Sequence, residues 1–206
     1  MHVPLYFGRT TARNVFRQLN SLMEVTKLWD AYSRELQGGA ALDEEYYRAV
    51  VYLRPDLRYI GCLEAPKLLA LGNEHFMTPS WSTWGGCNDR MAAGGARVMR
   101  AFGTRLNLVG GYLFELEVTS LALNRRADQP RQKARSPGDK YHHGVHPESF
   151  LRWVMLKHHG FKRVKFDLRG LRVRASGAID RRDWSLVERG EWAALHIRNG
   201  TLPDLP

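Results

Sequence analysis

The chain has 206 residues, with 31 Lys and Arg against 21 Asp and Glu, a formal net charge of +10 and a pI near 9.9. It is 44% hydrophobic and 25% charged, which excludes collagen-like, disulfide-dense and low-complexity chains. This length suits one domain, able to bury ~70% of its unfolded surface.

No apolar run reaches the ~18 residues of a membrane span, and the charges between Arg9 and Asp30 do not fit a signal peptide. A cytoplasmic setting is therefore expected. Cys62 and Cys87 match no metal or redox spacing; one bridge and two free thiols both remain open. The charge is uneven. Residues 1–124 hold 13 basic and 12 acidic residues, whereas 125–206 hold 18 and 9. Such an excess suggests an anionic partner: nucleic acid, a phosphorylated small molecule or a membrane surface.

In chain order, Thr10 or Thr11 is placed to cap a helix over 12–34, where Val15, Phe16, Leu19, Leu22, Met23 and Trp29 recur at helical steps. Gly38-Gly39 ends it. A short segment at 42–47 begins with acids. The run 49–53 is rich in β-branched residues and predicts a buried strand, stopped by Pro55. A second strand is expected at 76–79. The stretch Ser80-Trp81-Ser82-Thr83-Trp84-Gly85-Gly86 has loop chemistry. Gly94-Gly95 precedes a helix over 96–106, and 113–123, open to helix or strand, is read as helix.

Arg125 to Lys140 holds two prolines and no large apolar residue, as an exposed loop does. Pro147 opens a helix to about His159, and Gly160 ends it. Strands at 164–168 and 171–175 are expected to join at Arg169-Gly170. Residues 1–180 are read as one domain and 181–206 as a partly docked tail carrying Trp184 and Trp192. The class is α/β with one sheet and flanking helices.

Four patches hold residues suited to chemistry. In Arg54-Pro55-Asp56, a carboxylate after a strand lies where open sheets bind ligands, and it can hold a divalent ion; a turn in which Asp56 caps backbone N–H groups is the other reading. In Trp84-Gly85-Gly86-Cys87-Asn88-Asp89-Arg90, the glycines permit close approach of a ligand. The polar residues suit sugar hydroxyls or phosphate, and Trp81 and Trp84 suit stacking; a tight turn accounts for the pattern equally well. His142, His143 and His146 hint at a metal, though the spacing fits no closed zinc site; one histidine serving a metal or a phosphate and an exposed polar loop are the other readings. Arg172 and Arg174 alternate onto one strand face with Arg169 nearby, as a diphosphate site or as a solvated face.

The runs VVYLRPDL, PSWSTWGGCNDRMAAG and PESFLRWVMLKHHGFKRVKFDLRGLRVRASG together resemble glycosyltransferase-like proteins of algae, large viruses and bacteria. The resemblance spans roughly residues 15–180 and keeps the order and spacing of three motifs. It implies a GT-A-like α/β fold, a nucleotide-sugar donor, a glycan or other hydroxyl acceptor, and a divalent metal such as Mn²⁺ or Mg²⁺. Asp56 falls at the carboxylate for metal or donor diphosphate; a metal there needs a further, distant ligand, for which His142, His143 and His146 are the candidates and His143 is the choice. Asn88, Asp89 and Arg90 fall near donor sugar and acceptor, with Asp89 and Arg90 the catalytic pair. Arg54, Trp84, Gly86, Arg172 and Arg174 complete the donor site. Glu148 matches a later segment without a role.

Three features depart from the pattern. Tyr52 stands where such families usually have Arg, no Asp-x-Asp pair occurs, and only a helix precedes Ala49 where relatives usually begin with a further strand–helix–strand portion. The fold expected is thus a GT-A-like sheet lacking part of its N-terminal nucleotide-binding portion. Two other functions compete: a basic nucleic-acid-binding module, against which the lack of any known motif counts, and an inactive relative serving as a binding subunit.

Overall fold

The computed structural model describes residues 9–38, 46–81, 83, 85–125, 145–180 and 183. The chain is mixed α/β. The first described element is helix α1 (Arg9–Leu36). Its inward face carries Val15, Leu19, Thr26 and Ser33, all buried, with Leu22 and Trp29 packed beside them. Thr26 and Ser33 tolerate burial because each hydroxyl donates to a carbonyl of its own helix, Leu22 at 2.6 Å and Asp30 at 2.7 Å.

Strands β1 (Val50–Leu53), β3 (His75–Pro79), β4 (Met91–Gly94) and β5 (Lys162–Phe166) form a four-stranded mixed sheet in the order β1-β4-β3-β5. β4 runs antiparallel to both neighbours, and β5 runs parallel to β3. A separate two-stranded ladder pairs β2 (Leu57–Ile60) with β6 (Arg169–Arg172), antiparallel. The expected sheet with flanking helices is present, and this ladder stands beside it.

One sheet face presents Tyr52, Phe76 and Ala92 to a core built from α1, α3 (Ala96–Gly103), α4 (Val109–Arg125) and α5 (Pro147–Arg152). α5 runs on through a π-helical turn, Trp153–His158. Phe102, Phe150, Met99 and Met155 are almost fully enclosed there, each such side chain being worth ~1.5–3 kcal/mol of burial. The opposite face carries Val51, Met77, Ala93 and Val164 beneath Leu68 of the short α2 (Ala65–Leu69).

β4 was not foreseen. Its residues, Met-Ala-Ala-Gly, lack the β-branched signature of a strand, yet all four are buried. Small side chains suit a strand flanked on both edges and covered on both faces. At Gly94 a Cβ would sit 3.0 Å from the His75 carbonyl.

The expected helices over 12–34, 96–106, 113–123 and 147–159 are present with shifted ends; the third lies inside α4 and a 3-10 turn, Arg105–Leu108, follows α3. The two late strands do not join as a hairpin. β5 lies in the large sheet and β6 crosses to pair β2, with Arg169-Gly170 inside β6 itself. β1 is an edge strand rather than a buried one, and its Leu53 is exposed. Both cysteines are free thiols, Cys62 exposed and Cys87 buried. No helix among the described residues is long and apolar enough to cross a membrane. Most of the segment at 42–47, the basic stretch 126–140, Trp184 and Trp192 lie outside the described residues.

Candidate active site

Three segments far apart in sequence meet at one end of β1 and β4. The first is the turn from β1 to β2. Arg54 donates twice to Asp56, from Nε at 2.9 Å and from Nη2 at 2.7 Å. These bonds hold the Asp56 carboxyl below its ordinary range and raise the Arg54 guanidinium.

The second segment is the loop into β4. Asn88 is buried with both ends of its amide used: Nδ2 donates to the Trp81 carbonyl at 2.7 Å, and Oδ1 accepts from the Arg90 N–H at 2.9 Å. Asn88 therefore shapes the loop and leaves ligand contact to its neighbours. Asp89 is also buried, and Gln18 of α1 donates to its Oδ2 at 3.1 Å. The Arg90 guanidinium lies over the Trp81 ring, 4.9 Å from its centroid. Its Nη1 sits 3.8 Å from Asp183 and has no hydrogen-bond partner among the described residues. Burial lowers the Arg90 pKa.

Tyr59 of β2 ties these two segments together. Its hydroxyl accepts from the Arg54 N–H at 3.1 Å and donates to the Arg90 carbonyl at 3.0 Å.

The third segment is the start of α5. The Cys87 N–H donates to the Glu148 carbonyl at 3.0 Å. A Cβ on Gly86 would lie 2.1 Å from that carbonyl oxygen, so only glycine lets the loop press against α5. The expected close approach to Gly86 is thus made by the chain's own backbone. The Glu148 side chain is 16% exposed, and its Oε2 stands 3.1 Å from His146 Nδ1. Burial, and then the Asp89 charge, raise the Glu148 pKa to about 8. Burial lowers that of His146. Two carboxyls acting on one another thus differ in role: one bonded by Gln18, the other inclined to keep its proton at neutral pH.

Arg105 lies behind this group, fully enclosed. Its Nη1 donates to the Phe102 carbonyl, and its guanidinium sits over the Phe102 ring at 4.1 Å. Burial brings its pKa down to about 10, while the charge of Asp89 opposes that fall.

Arg172 and Arg174 are occupied from within. Arg172 donates to Asp183 from Nε at 3.0 Å and to Asp180 from Nη2 at 3.3 Å. Arg174 also donates to Asp180. Asp180 and Asp183 are both buried. The expected donor-facing arginines are therefore the cations of a carboxylate network, and this network reaches Arg90 through Asp183.

The structure thus brings Arg54, Asp56, Gly86, Asn88, Asp89, Arg90 and Arg172 into one region. Trp84 and His143 lie outside the described residues. Trp81 was expected to stack on a ligand. It is instead buried against Arg90, with its indole N–H donating to the Leu168 carbonyl at 2.8 Å. Gln18, Tyr59, Glu148 and Asp183 were missed as parts of one site, and His146, read as a metal candidate, instead stands beside Glu148. Of the four, Glu148 alone carried a signal, its place in the third motif. As for a metal, no three His, Cys, Asp or Glu side chains among the described residues are grouped to hold an ion, and Asp56 is held by Arg54. The residues described do not fit that group.

No family model, no curated protein and no solved structure matches this chain.

Proposed function

We propose that this protein transfers a sugar from a nucleotide-diphosphate donor to a hydroxyl acceptor, with the reaction centred on Asp89. One observation carries the reading: the three segments on which the sequence resemblance rests pack around one buried carboxylate beside Arg54 and Arg90. In such a transfer the acceptor oxygen bonds to the anomeric carbon as the bond from that carbon to the diphosphate breaks. The hydroxyl proton goes to a base, and the nucleoside diphosphate leaves with the electron pair. Arg54 and Arg90 offset the charge that grows on the diphosphate. Asp89 holds the acceptor hydroxyl in line.

A thermal-shift screen of nucleotide sugars tests this, run with and without Mn²⁺ or Mg²⁺, followed by assay of donor hydrolysis and transfer. At a hundredfold excess over Kd the right donor adds ~2.7 kcal/mol, roughly 5–10 °C in Tm for a chain of this size. Asp89→Asn is expected to lower transfer ~10²-fold by misplacing the acceptor. If no nucleotide sugar raises Tm, the reading is wrong. A donor that binds without turnover instead marks an inactive relative.

A further inference from the structure

Among the described residues of this site, Glu148 is a largely enclosed acid to which the roles above give no part. It is placed with care. Its backbone carbonyl fixes the loop through Cys87, and Gly86 leaves no room for movement between loop and helix. Its side chain is largely enclosed and meets His146 at 3.1 Å. The charges of Asp89 and Arg90 on the loop, and of Arg54 after β1, act on it. Behind Asp89, the enclosed Arg105 has an Nε with no hydrogen-bond partner among the described residues.

We propose that Glu148 is the general base of the transfer, oriented by His146, with Asp89 holding the acceptor beside it. This role rests on the sugar-transfer reading above. The acceptor O–H gives its proton to a Glu148 carboxylate oxygen. The freed oxygen bonds to the anomeric carbon, and the diphosphate departs with the electrons of the broken bond. A largely enclosed carboxylate next to a second negative charge is a stronger base than one in water. The pKa of about 8 agrees with that placement. Arg54 and Arg90 oppose this shift and keep the ionised form within reach at neutral pH.

The test is the pH dependence of kcat/KM for transfer, measured on the full chain with the donor found by thermal shift. In the wild type, kcat/KM rises about tenfold per pH unit and levels off near pH 8. Glu148→Gln keeps size and hydrogen bonding but holds no charge. It is expected to lose activity ~10³-fold and to abolish the limb, while its donor-induced Tm shift persists. Asp89→Asn removes the like charge and moves the limb to lower pH. An active wild type whose Glu148→Gln variant stays within about threefold, or keeps the limb, overturns the role of Glu148 alone. A wild type that neither hydrolyses nor transfers from any nucleotide sugar overturns the sugar-transfer reading, and this role with it.

Discussion

Glu148 enters the native state with a proton that the unfolded chain releases at an ordinary carboxyl pKa of ~4.3. In the folded protein that proton leaves only near pH 8. Between those values the native state binds more protons than the unfolded one, so rising pH weakens the fold over that window and has no further effect above it. Other groups act elsewhere or in the opposite sense. Asp56 and Asp183 are held low by arginine; their stabilisation is present above ~3.9 and is lost in acid. His146, lowered by burial, gives stabilisation that is lost as pH falls below ~6.5. A difference between two proteins removes these shared contributions. Urea midpoints of the wild type and of Glu148→Gln, measured from pH 5 to pH 9, are expected to diverge. The wild type should lose stability relative to the variant as pH climbs toward 8. Parallel curves would mean that Glu148 titrates in the fold as it does in water.

At the scale of elements, the site depends on how closely one loop meets one helix. Replacing Gly86 by Ala sets a Cβ 2.1 Å from the Glu148 oxygen and 2.2 Å from its carbon. Both obstacles are backbone, so the loop or the start of α5 must move. Overpacking of this kind costs ~1–3 kcal/mol, occasionally more. Chemical denaturation of Gly86→Ala should show that loss, with donor-induced stabilisation lost too; an unchanged midpoint would show the contact to be loose. The same contact explains what sequence reading reached and what it missed. The helices were legible because Val15, Leu19 and Leu22, or Val98, Met99 and Phe102, repeat at the helical period. The loop was legible as a site because Gly-Gly-Cys-Asn-Asp-Arg gathers small and polar residues. Its partner was not. Nothing near Glu148 in sequence says that the Cys87 N–H bonds its carbonyl. Likewise, Arg172 reads as a free basic face until Asp180 and Asp183 fold back upon it. β4 was hidden because its small residues answer to two neighbouring strands, not to strand propensity.

For the whole molecule, the +10 charge has to be divided by what the fold does with it. The basic residues on ordered late elements are largely engaged. Arg152 donates to the Gly85 carbonyl, and Arg163 to Thr78, Pro79 and the Gly86 carbonyl. Lys157 pairs with Glu115, Lys162 with Glu74 and Arg169 with Asp167. Arg172 and Arg174 serve Asp180 and Asp183. Each of these pairings competes with a phosphate for the same cation, most strongly at the buried Asp180 and Asp183. The stretch 126–140 contributes Arg126, Arg131, Lys133, Arg135 and Lys140, a denser run of basic residues than Arg181, Arg182, Arg189 and Arg198 after it, and it is in that run that polyanion affinity is expected. Binding through phosphates falls with salt at a slope of about −0.9 per contact. Five such residues cap the slope near −4.5 by the same rule. Filter binding of duplex DNA at several salt concentrations should therefore give weak binding, gone by ~0.15 M salt. Changing those five residues to Gln should flatten the slope nearly to zero, whereas changing Lys157 and Lys162 to Gln should leave it unaltered. A steep slope that survives the five-residue change would place a nucleic-acid surface on the ordered elements and return the basic-module reading to first place.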